Sequence, residues 1–206
     1  MKIFSIASLC LTIAVSSLAV VAQAGGDAEA GSKKVASCAA CHGKSGNSES
    51  PANPKLAGQG EKYLLKQLRD IQSGARPAPL MVGQLDGMSE TDLADIAAFF
   101  AEQTSSLGAA DPELVELGRE IYRNGNHERG VSSCMGCHGP AGMGNEPAGY
   151  PRIAGQHADY IALQLRKFTS GERSNDGEGR VMRGVAERMN ENEIKAVASY
   201  IEGLRQ

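Results

Sequence analysis

The sequence predicts an all-α fold in which two similar small domains follow one another along the chain. The main observation is an internal repeat, since the segment from Cys38 to Gly43 returns as the segment from Cys134 to Gly139. Apolar residues recur at spacings of three and four, without convincing period-two alternation. Aromatic residues make up only 4% of the 206 residues, and Trp is absent. Because small domains with so few bulky side chains form weak cores, each domain needs a cross-link or an embedded cofactor.

The repeat extends well beyond the cysteine segments and divides the chain. Residues 54–59 match residues 151–156, and further matching pairs are Tyr63 and Tyr160, Gln67 and Gln164, Met81 and Met182, and Met88 and Met189. Two copies of this length predict tandem domains rather than a solenoid of short repeats. The small and polar residues at 104–110 predict the seam. We therefore predict an N-terminal domain at 25–108 and a C-terminal domain at 109–206.

The first 24 residues have the pattern of a secretory signal peptide. Lys2 precedes an apolar stretch at residues 3–21, and Ala22-Gln23-Ala24 matches a small-x-small cleavage site. We predict cleavage before Gly25, which also discards Cys10 and leaves an exported, periplasmic protein. The alternative is a retained membrane anchor, but several serines interrupt the apolar run and no stop-transfer charges follow it.

Both domains are predicted to be mostly helical. The helical spacings are those of Leu64, Leu65, Leu68 and Ile71; of Leu93, Ile96, Ala97 and Phe100; of Ile161, Leu165 and Phe168; and of Ile194, Val197, Ala198 and Ile201. Asp111 and Pro112 predict another helix start, with Asp as the N-cap and Pro at the first helical position. The Gly- and Pro-rich stretches 43–60 and 139–155 are predicted to be loops that wrap a functional group.

The charge excludes one broad class of partner. The formal net charge is −3, and acidic and basic residues are balanced alike in the two halves. A nucleic-acid-binding protein would carry a basic patch. We therefore expect no nucleic-acid partner.

The four cysteines outside the leader all lie in C-x-x-C-H segments, the attachment signature of c-type haem. In a helical turn, Cys38, Cys41 and His42 would project from one face because they occupy positions i, i+3 and i+4. The two sulfurs can then form thioethers with the porphyrin while the imidazole reaches the iron. The second copy repeats this spacing with Cys134, Cys137 and His138, which predicts two covalently attached haems.

Two other uses of these cysteines were weighed. A C-x-x-C disulfide suits an exported protein, but it gives no role to the histidine that follows in both copies. A zinc site would use two Cys and one His from each copy, but the sequence has no downstream ligands at the spacing of a zinc finger. Haem also supplies the large apolar group that the composition lacks.

Each copy offers two methionines as candidates for the ligand opposite the histidine. Met88 and Met189 each precede a predicted helix cap, which gives them a packing role as part of a hydrophobic staple. Met81 and Met182 lie in stretches predicted to be irregular, where a flexible thioether can be aimed at a metal. We predict that Met81 and Met182 are the axial iron ligands; the alternative for a lone Met is to fill a gap in a core.

Other residues could support or replace these ligands. Pro54 and Pro151 occupy matching loops, and their carbonyls could accept a hydrogen bond from the haem histidines. Spacing alone leaves that role and simple loop shaping equally open. His127 and His157 could in principle replace methionine on an iron, but we expect both to be exposed surface histidines.

With these motifs, the chain resembles the class I c-type cytochromes and, as a tandem, is similar to the di-haem cytochrome c4 family. The resemblance implies that Pro54 and Pro151 supply carbonyls to the haem histidines. It also implies that the first and last helices of each domain cross at a glycine near an aromatic residue. The corresponding residues are Gly31 with Phe99 and Gly118 with Tyr200. The two haems are expected to face one another across the domain interface.

The function expected from these features is electron transport without catalysis. The resemblance implies transfer from a quinol-oxidising complex to a terminal oxidase or reductase. We expect a monomer with redox protein partners and possible loose association with the membrane surface. The alternatives are a catalytic di-haem protein such as a peroxidase, in which one iron lacks a firm sixth ligand, and a haem subunit of a dehydrogenase or oxidase complex.

Overall fold

The computed structural model describes residues 25–205. The predicted signal peptide at 1–24, including Cys10, lies outside the described residues. Within the described part, no helix is long and apolar enough to cross a membrane.

The all-α prediction is confirmed, because residues 25–205 contain helices and two isolated β-bridges but no strand. The helices of the first repeat are α1 (Ala28–Ser32), α2 (Ala39–His42), α3 (Glu61–Gln72) and α4 (Glu90–Ala101), with a 3₁₀ turn at Pro79–Met81. Those of the second are α5 (Val115–Asn124), α6 (Met135–His138), α7 (Ala158–Ser170), α8 (Val181–Ala186) and α9 (Glu191–Gly203).

The first and last helices of each repeat cross at a glycine. A Cβ added to Gly31 on α1 would lie 2.0 Å from the carbonyl oxygen of Asp95 on α4. A Cβ on Gly118 of α5 would lie 2.3 Å from the carbonyl oxygen of Ala196 on α9. Because no side chain fits in either gap, the backbones meet directly, with Phe99 and Tyr200 beside the crossings.

Each repeat has its own apolar core, and the two cores differ in size. The first is small and comprises Val35, Leu64, Ile96, Ala97 and Phe100. The second is larger, with Tyr122, Phe168 and Ile201 among its members. Cys38 packs against the first core and Cys134 against the second, so each cysteine motif lies at the edge of a core.

The last helix of each repeat begins with a capping box. Ser89 and Asp92 exchange side-chain and backbone hydrogen bonds at the start of α4, and Asn190 and Glu193 do so at the start of α9. Met88 packs against the first core, while Met189 is buried in the second. These contacts give the two methionines the packing role that the sequence suggests.

Two local expectations were wrong. The fifth helix begins at Val115 rather than at Asp111-Pro112. Asp111 Oδ1 accepts a hydrogen bond from the Glu113 amide at 2.9 Å, so the Asp forms a separate turn before the helix. Met182 lies within α8 rather than in an irregular stretch, whereas Met81 ends the 3₁₀ turn.

Candidate functional site

The two C-x-x-C-H segments form matching helical turns. The amides of Cys41 and His42 donate to the Cys38 carbonyl at 3.2 and 2.9 Å. In the second repeat, the amides of Cys137 and His138 donate to the Cys134 carbonyl at 3.3 and 2.9 Å. This is the turn that the spacing predicts, with two sulfurs and an imidazole on one face.

None of the four cysteines of these turns forms a disulfide, and Cys41 is exposed. Burial raises the pKa of the Cys134 thiol to about 12 and also raises that of Cys38. Reactive thiols of redox motifs have lowered pKa values instead. Within residues 25–205, no cluster of three or more His, Cys, Asp or Glu side chains is placed to hold a metal ion. The described residues therefore give no support to the two alternative interpretations, a C-x-x-C disulfide and a zinc site.

The imidazole of each turn is buried and held by a proline carbonyl. His42 Nδ1 lies 2.9 Å from the Pro54 carbonyl oxygen, and His138 Nδ1 lies 2.9 Å from that of Pro151. Burial lowers the pKa of both histidines, and the carbonyl contacts only partly oppose this. A neutral imidazole that donates from Nδ1 keeps the Nε2 lone pair free, which is the form that binds a metal.

The two candidate axial methionines have different surroundings. Met182 is half-buried against the second core, where Cys134 also packs. Met81 is half-buried at the end of its 3₁₀ turn, outside the first core cluster. The structure thus brings a cysteine and the candidate methionine to one core in the second repeat and places Met81 on a separate segment in the first.

The two histidines outside the motifs behave differently. His127 is exposed, as expected. The expectation for His157 was wrong, because its ring is buried and its Nε2 lies 3.0 Å from the Ser48 carbonyl oxygen. Its Nδ1 lies 3.7 Å from Glu202 Oε1. The burial comes from a loop of the other repeat, which local sequence around His157 cannot indicate.

The two repeats meet through reciprocal backbone contacts that sequence reasoning missed. The side-chain amide of Gln59 donates to the Arg152 carbonyl and accepts from the Arg152 amide, both at 2.8 Å. The side-chain amide of Gln156 does the same with Lys55, at 2.8 and 2.9 Å. Because Gln59 matches Gln156 and Lys55 matches Arg152 in the repeat, the two contacts are equivalent.

A second reciprocal set lies at the same interface. Arg76 donates to the hydroxyl of Tyr160 at 2.7 Å, and Arg173 donates to the hydroxyl of Tyr63 at 3.0 Å. Each guanidinium also bonds the side-chain oxygen of Gln67 and of Gln164. The sequence did contain a signal for this set, since all three residue types recur at matching positions of the two repeats. Without a structure, nothing indicated that they cross from one repeat to the other.

No carboxylate bonds the buried interface arginines directly, although Asp70 lies near enough to contribute to the raised pKa of Arg76. The hydrogen bonds of Arg76 and Arg173 within residues 25–205 go to neutral oxygens of Gln, Tyr and Asn. Arg152 Nε is buried with no hydrogen-bond partner in that part of the chain. Burial would raise the pKa of Tyr63, but Arg173 and Arg76 outweigh it and lower the pKa.

The unpaired Arg152 Nε calls for an anion, since burial lowers the pKa of Arg152 and an unpaired charge is costly to remove from water. Haem carries two propionate carboxylates, and a guanidinium is well suited to bind a carboxylate. The two cysteine turns, the two buried imidazoles with a free Nε2 and the unpaired Arg152 Nε together fit haem as the bound group. This combination of fold and site defines a protein with two c-type cytochrome domains.

Comparison with known proteins agrees with this class. The family model for cytochrome c matches residues 28–104 and 115–205. Cytochrome c4 of Azotobacter vinelandii is 50% identical over 209 residues, covering 97% of this chain and 98% of the relative. The crystal structure of reduced recombinant cytochrome c4 from Pseudomonas stutzeri superposes with a TM-score of 0.86 at 51% identity, covering 87% of this chain and all of that one.

A more distant relative is an electron acceptor of an enzyme. The thiosulfate dehydrogenase electron acceptor of Stutzerimonas stutzeri is 36% identical, covering 82% of this chain and 79% of the relative. The chain belongs to the cytochrome c4 family, and it is a di-haem c-type cytochrome that carries electrons. Its two domains each take one covalently bound haem c.

Proposed function

We propose that Cys38 and Cys41 bind one haem and that Cys134 and Cys137 bind the other. His42 and Met81 are the iron ligands in the first domain. The ligands in the second domain are His138 and Met182. The observation that carries this proposal is the pair of matching turns, each with a buried imidazole oriented by a proline carbonyl.

The protein's own residues restrict each iron to electron transfer. The Pro54 and Pro151 carbonyls hold the proton on Nδ1, so each histidine presents Nε2 to the metal in a fixed orientation. Met81 and Met182 would hold the iron through their thioether sulfurs, which would raise the potential and leave no position for oxygen or peroxide. The bound haem supplies the one-electron Fe(II)/Fe(III) couple. Arg152, whose buried Nε has no partner within residues 25–205, is the interface group suited to a propionate carboxylate.

The proposed setting is the periplasm, with the leader cleaved before Gly25 and domains at residues 25–108 and 109–206. Two covalent haems require export to the compartment where haem is attached. Mass spectrometry of the purified protein tests this directly. The expected mass is that of the chain from Gly25 plus two haems, and a mass that includes the leader or lacks haem contradicts it.

The proposed partners are a membrane quinol-oxidising complex as donor and a terminal oxidase or reductase as acceptor. The electron-acceptor name of one relative supports a role between redox enzymes. We propose a monomer that associates loosely with the membrane surface. Analytical ultracentrifugation of the holoprotein tests the monomer, and a stable dimer contradicts it.

Optical spectra of methionine variants test the ligand assignment. Met81→Ala and Met182→Ala are each expected to remove the Met-to-iron charge-transfer band of one haem and to convert that haem to a high-spin or misligated state. The matched controls are Met88→Ala and Met189→Ala, which lose core packing and leave both haems low-spin. The opposite outcome would reverse the assignment. A high-spin haem in the unsubstituted protein, or its rapid reaction with peroxide, would favour a catalytic di-haem protein.

A further inference from the structure

The segment around Met81 carries an exposed apolar ridge, defined as Leu80 and Val82. Their exposed fractions are 75% and 79%, the largest among the exposed large apolar residues within positions 25–205. Pro77 and Pro79 restrict the backbone on one side of the ridge. Leu85 anchors it on the other side, since its side chain is buried. The ridge is therefore a supported feature of the surface.

The surroundings of the ridge are almost free of charge. Asp86 is the only charged residue between positions 77 and 88. The nearby guanidinium of Arg76 is buried and turned towards the other domain. A cleft of about 340 Å³, lined in part by Met81 and Val82, lies between the end of α3 and the ridge.

The matching segment of the second domain has the opposite character. Val181 takes the place of Leu80 and is 43% exposed. Arg183 takes the place of Val82, and its guanidinium pairs with Asp176 at 2.7 Å. Arg180 pairs with Glu187 at 3.6 Å. The second domain therefore presents charged groups that are already paired where the first presents apolar side chains.

We propose that this ridge is the docking surface for the membrane-bound acceptor that oxidises the protein and that the contact surface of this acceptor is apolar and uncharged. A charged group set against Leu80 and Val82 would lose water without gaining a counter-ion. The inference rests on the proposed function, because Met81 between the two ridge residues is the proposed iron ligand. The first domain, rather than the second, would then exchange electrons with that partner.

Two other occupants fit the ridge less well. Two side chains offer far less area than the roughly 1,200 Å² or more that a stable protein interface buries, whereas weak electron-transfer contacts are smaller. A second copy of the chain is thus disfavoured. Binding to anionic lipid needs clustered Lys or Arg, and the sequence from 77 to 88 contains none.

The test compares the double variant L80S/V82S with Val181→Ser as the matched control. The reduced holoprotein is mixed with respiratory membranes of the bacterium that produces it, and haem oxidation is followed by absorbance. The double variant is expected to lower the second-order rate constant about tenfold, the loss expected when part of the apolar contact area of two side chains is removed. Val181→Ser is expected to leave it unchanged. The wild-type rate should depend only weakly on salt, because the contact is uncharged.

Further measurements separate the alternatives. Oxidation by ferricyanide and the low-spin spectra should be the same in all three proteins. The docking proposal is overturned by an unchanged rate in L80S/V82S, an equal loss in Val181→Ser, or a parallel loss with ferricyanide. The ridge would belong to another occupant if the wild type formed a dimer, or bound vesicles, and L80S/V82S abolished that association. Either result would also overturn the docking proposal. Failure of the proposed function would appear earlier, as missing or high-spin haem in the unsubstituted protein.

Discussion

At the residue scale, any substitution of two glycines is predicted to destabilise the fold. Adding a methyl group at Gly31 or Gly118 would place Cβ 2.0 or 2.3 Å from a carbonyl oxygen of the crossing helix. Because that obstacle is backbone, the helices must separate. Gly31→Ala and Gly118→Ala are each expected to lower the free energy of unfolding by about 1–3 kcal/mol or more. Guanidinium unfolding of the holoprotein, followed by far-UV circular dichroism, measures the loss.

Gly136→Ala is the control for that experiment. Gly136 is also helical, but an added Cβ would meet only Ser133 Oγ at 3.6 Å, and the first repeat has Ala40 at the matching position. The substitution is expected to be neutral or to stabilise by up to about 1 kcal/mol, since Ala favours helix. If Gly31→Ala behaves like Gly136→Ala, the helices of the first domain do not meet as closely as described.

At the element scale, the turn that follows α1 is joined to α4 by an ion cluster that depends on pH. Lys34 pairs with Asp92 and Asp95 at 2.6 Å each, and the hydrogen bonds from Lys34 are the main cause of the lowered pKa of both carboxyl groups. A carboxyl group with a lowered folded-state pKa stabilises the fold above its unfolded pKa and loses that contribution as the pH falls. The contribution is therefore complete above an unfolded pKa of about 3.9 and declines below it.

Lys34→Gln tests this dependence. The variant is expected to melt below the wild type at neutral pH, and the difference should shrink as the pH falls from about 4 towards 2, because the aspartates of the unfolded chain take up protons there before the paired ones do. Thermal unfolding over that range measures it. Lys33→Gln is the control because Lys33 pairs with Glu29 on the exposed face of α1. A gap between Lys34→Gln and wild type that stays constant down to pH 2 would contradict the assignment.

Most elements could be predicted from the sequence because local patterns specify them. The apolar spacing in α3, α4, α7 and α9 and the i, i+3, i+4 geometry of the cysteine turns depend on neighbours along one helix. Glycine at the helix crossings was inferred from the family resemblance. The start of α5 was missed because Asp111 can cap a separate turn as readily as a helix. Met182 was misplaced because neighbouring glycines suggested irregular backbone.

The contacts between repeats could not be predicted, because they depend on how two domains are placed in space. The sequence predicted a surface histidine at position 157, but Ser48 of the other repeat covers its ring. Gln59 and Gln156 looked like ordinary loop residues, although each satisfies the backbone of the opposite repeat. The repeat aligned these residues with their counterparts, and only the structure shows that the counterparts face one another.

At the scale of the whole molecule, some contacts between the two domains occur twice in equivalent form, and others occur only once. The Gln59 and Gln156 contacts are equivalent, as are those of Arg76 and Arg173. Other contacts have no counterpart, including the bond from the Lys62 amide to Glu146 Oε1 at 2.8 Å. Equivalent contacts place the two domains face to face, and the additional ones join particular loops. The outward surfaces remain free to differ, as the segments around Met81 and Met182 do.

The paired glutamines are predicted to hold the two domains in one arrangement. In a Gln59→Ala/Gln156→Ala variant, the amides of Lys55 and Arg152 lose their acceptors at the interface. Each lost hydrogen bond is expected to cost about 0.5–1.5 kcal/mol, and more where a buried group stays unpaired. Small-angle X-ray scattering should show a larger radius of gyration, and proteolysis should become faster between residues 104 and 114. Gln84→Ala, at an exposed position, should change neither. Unchanged scattering and proteolysis in the double variant would show that the remaining contacts, including those of Arg76 and Arg173, hold the domains without the glutamines.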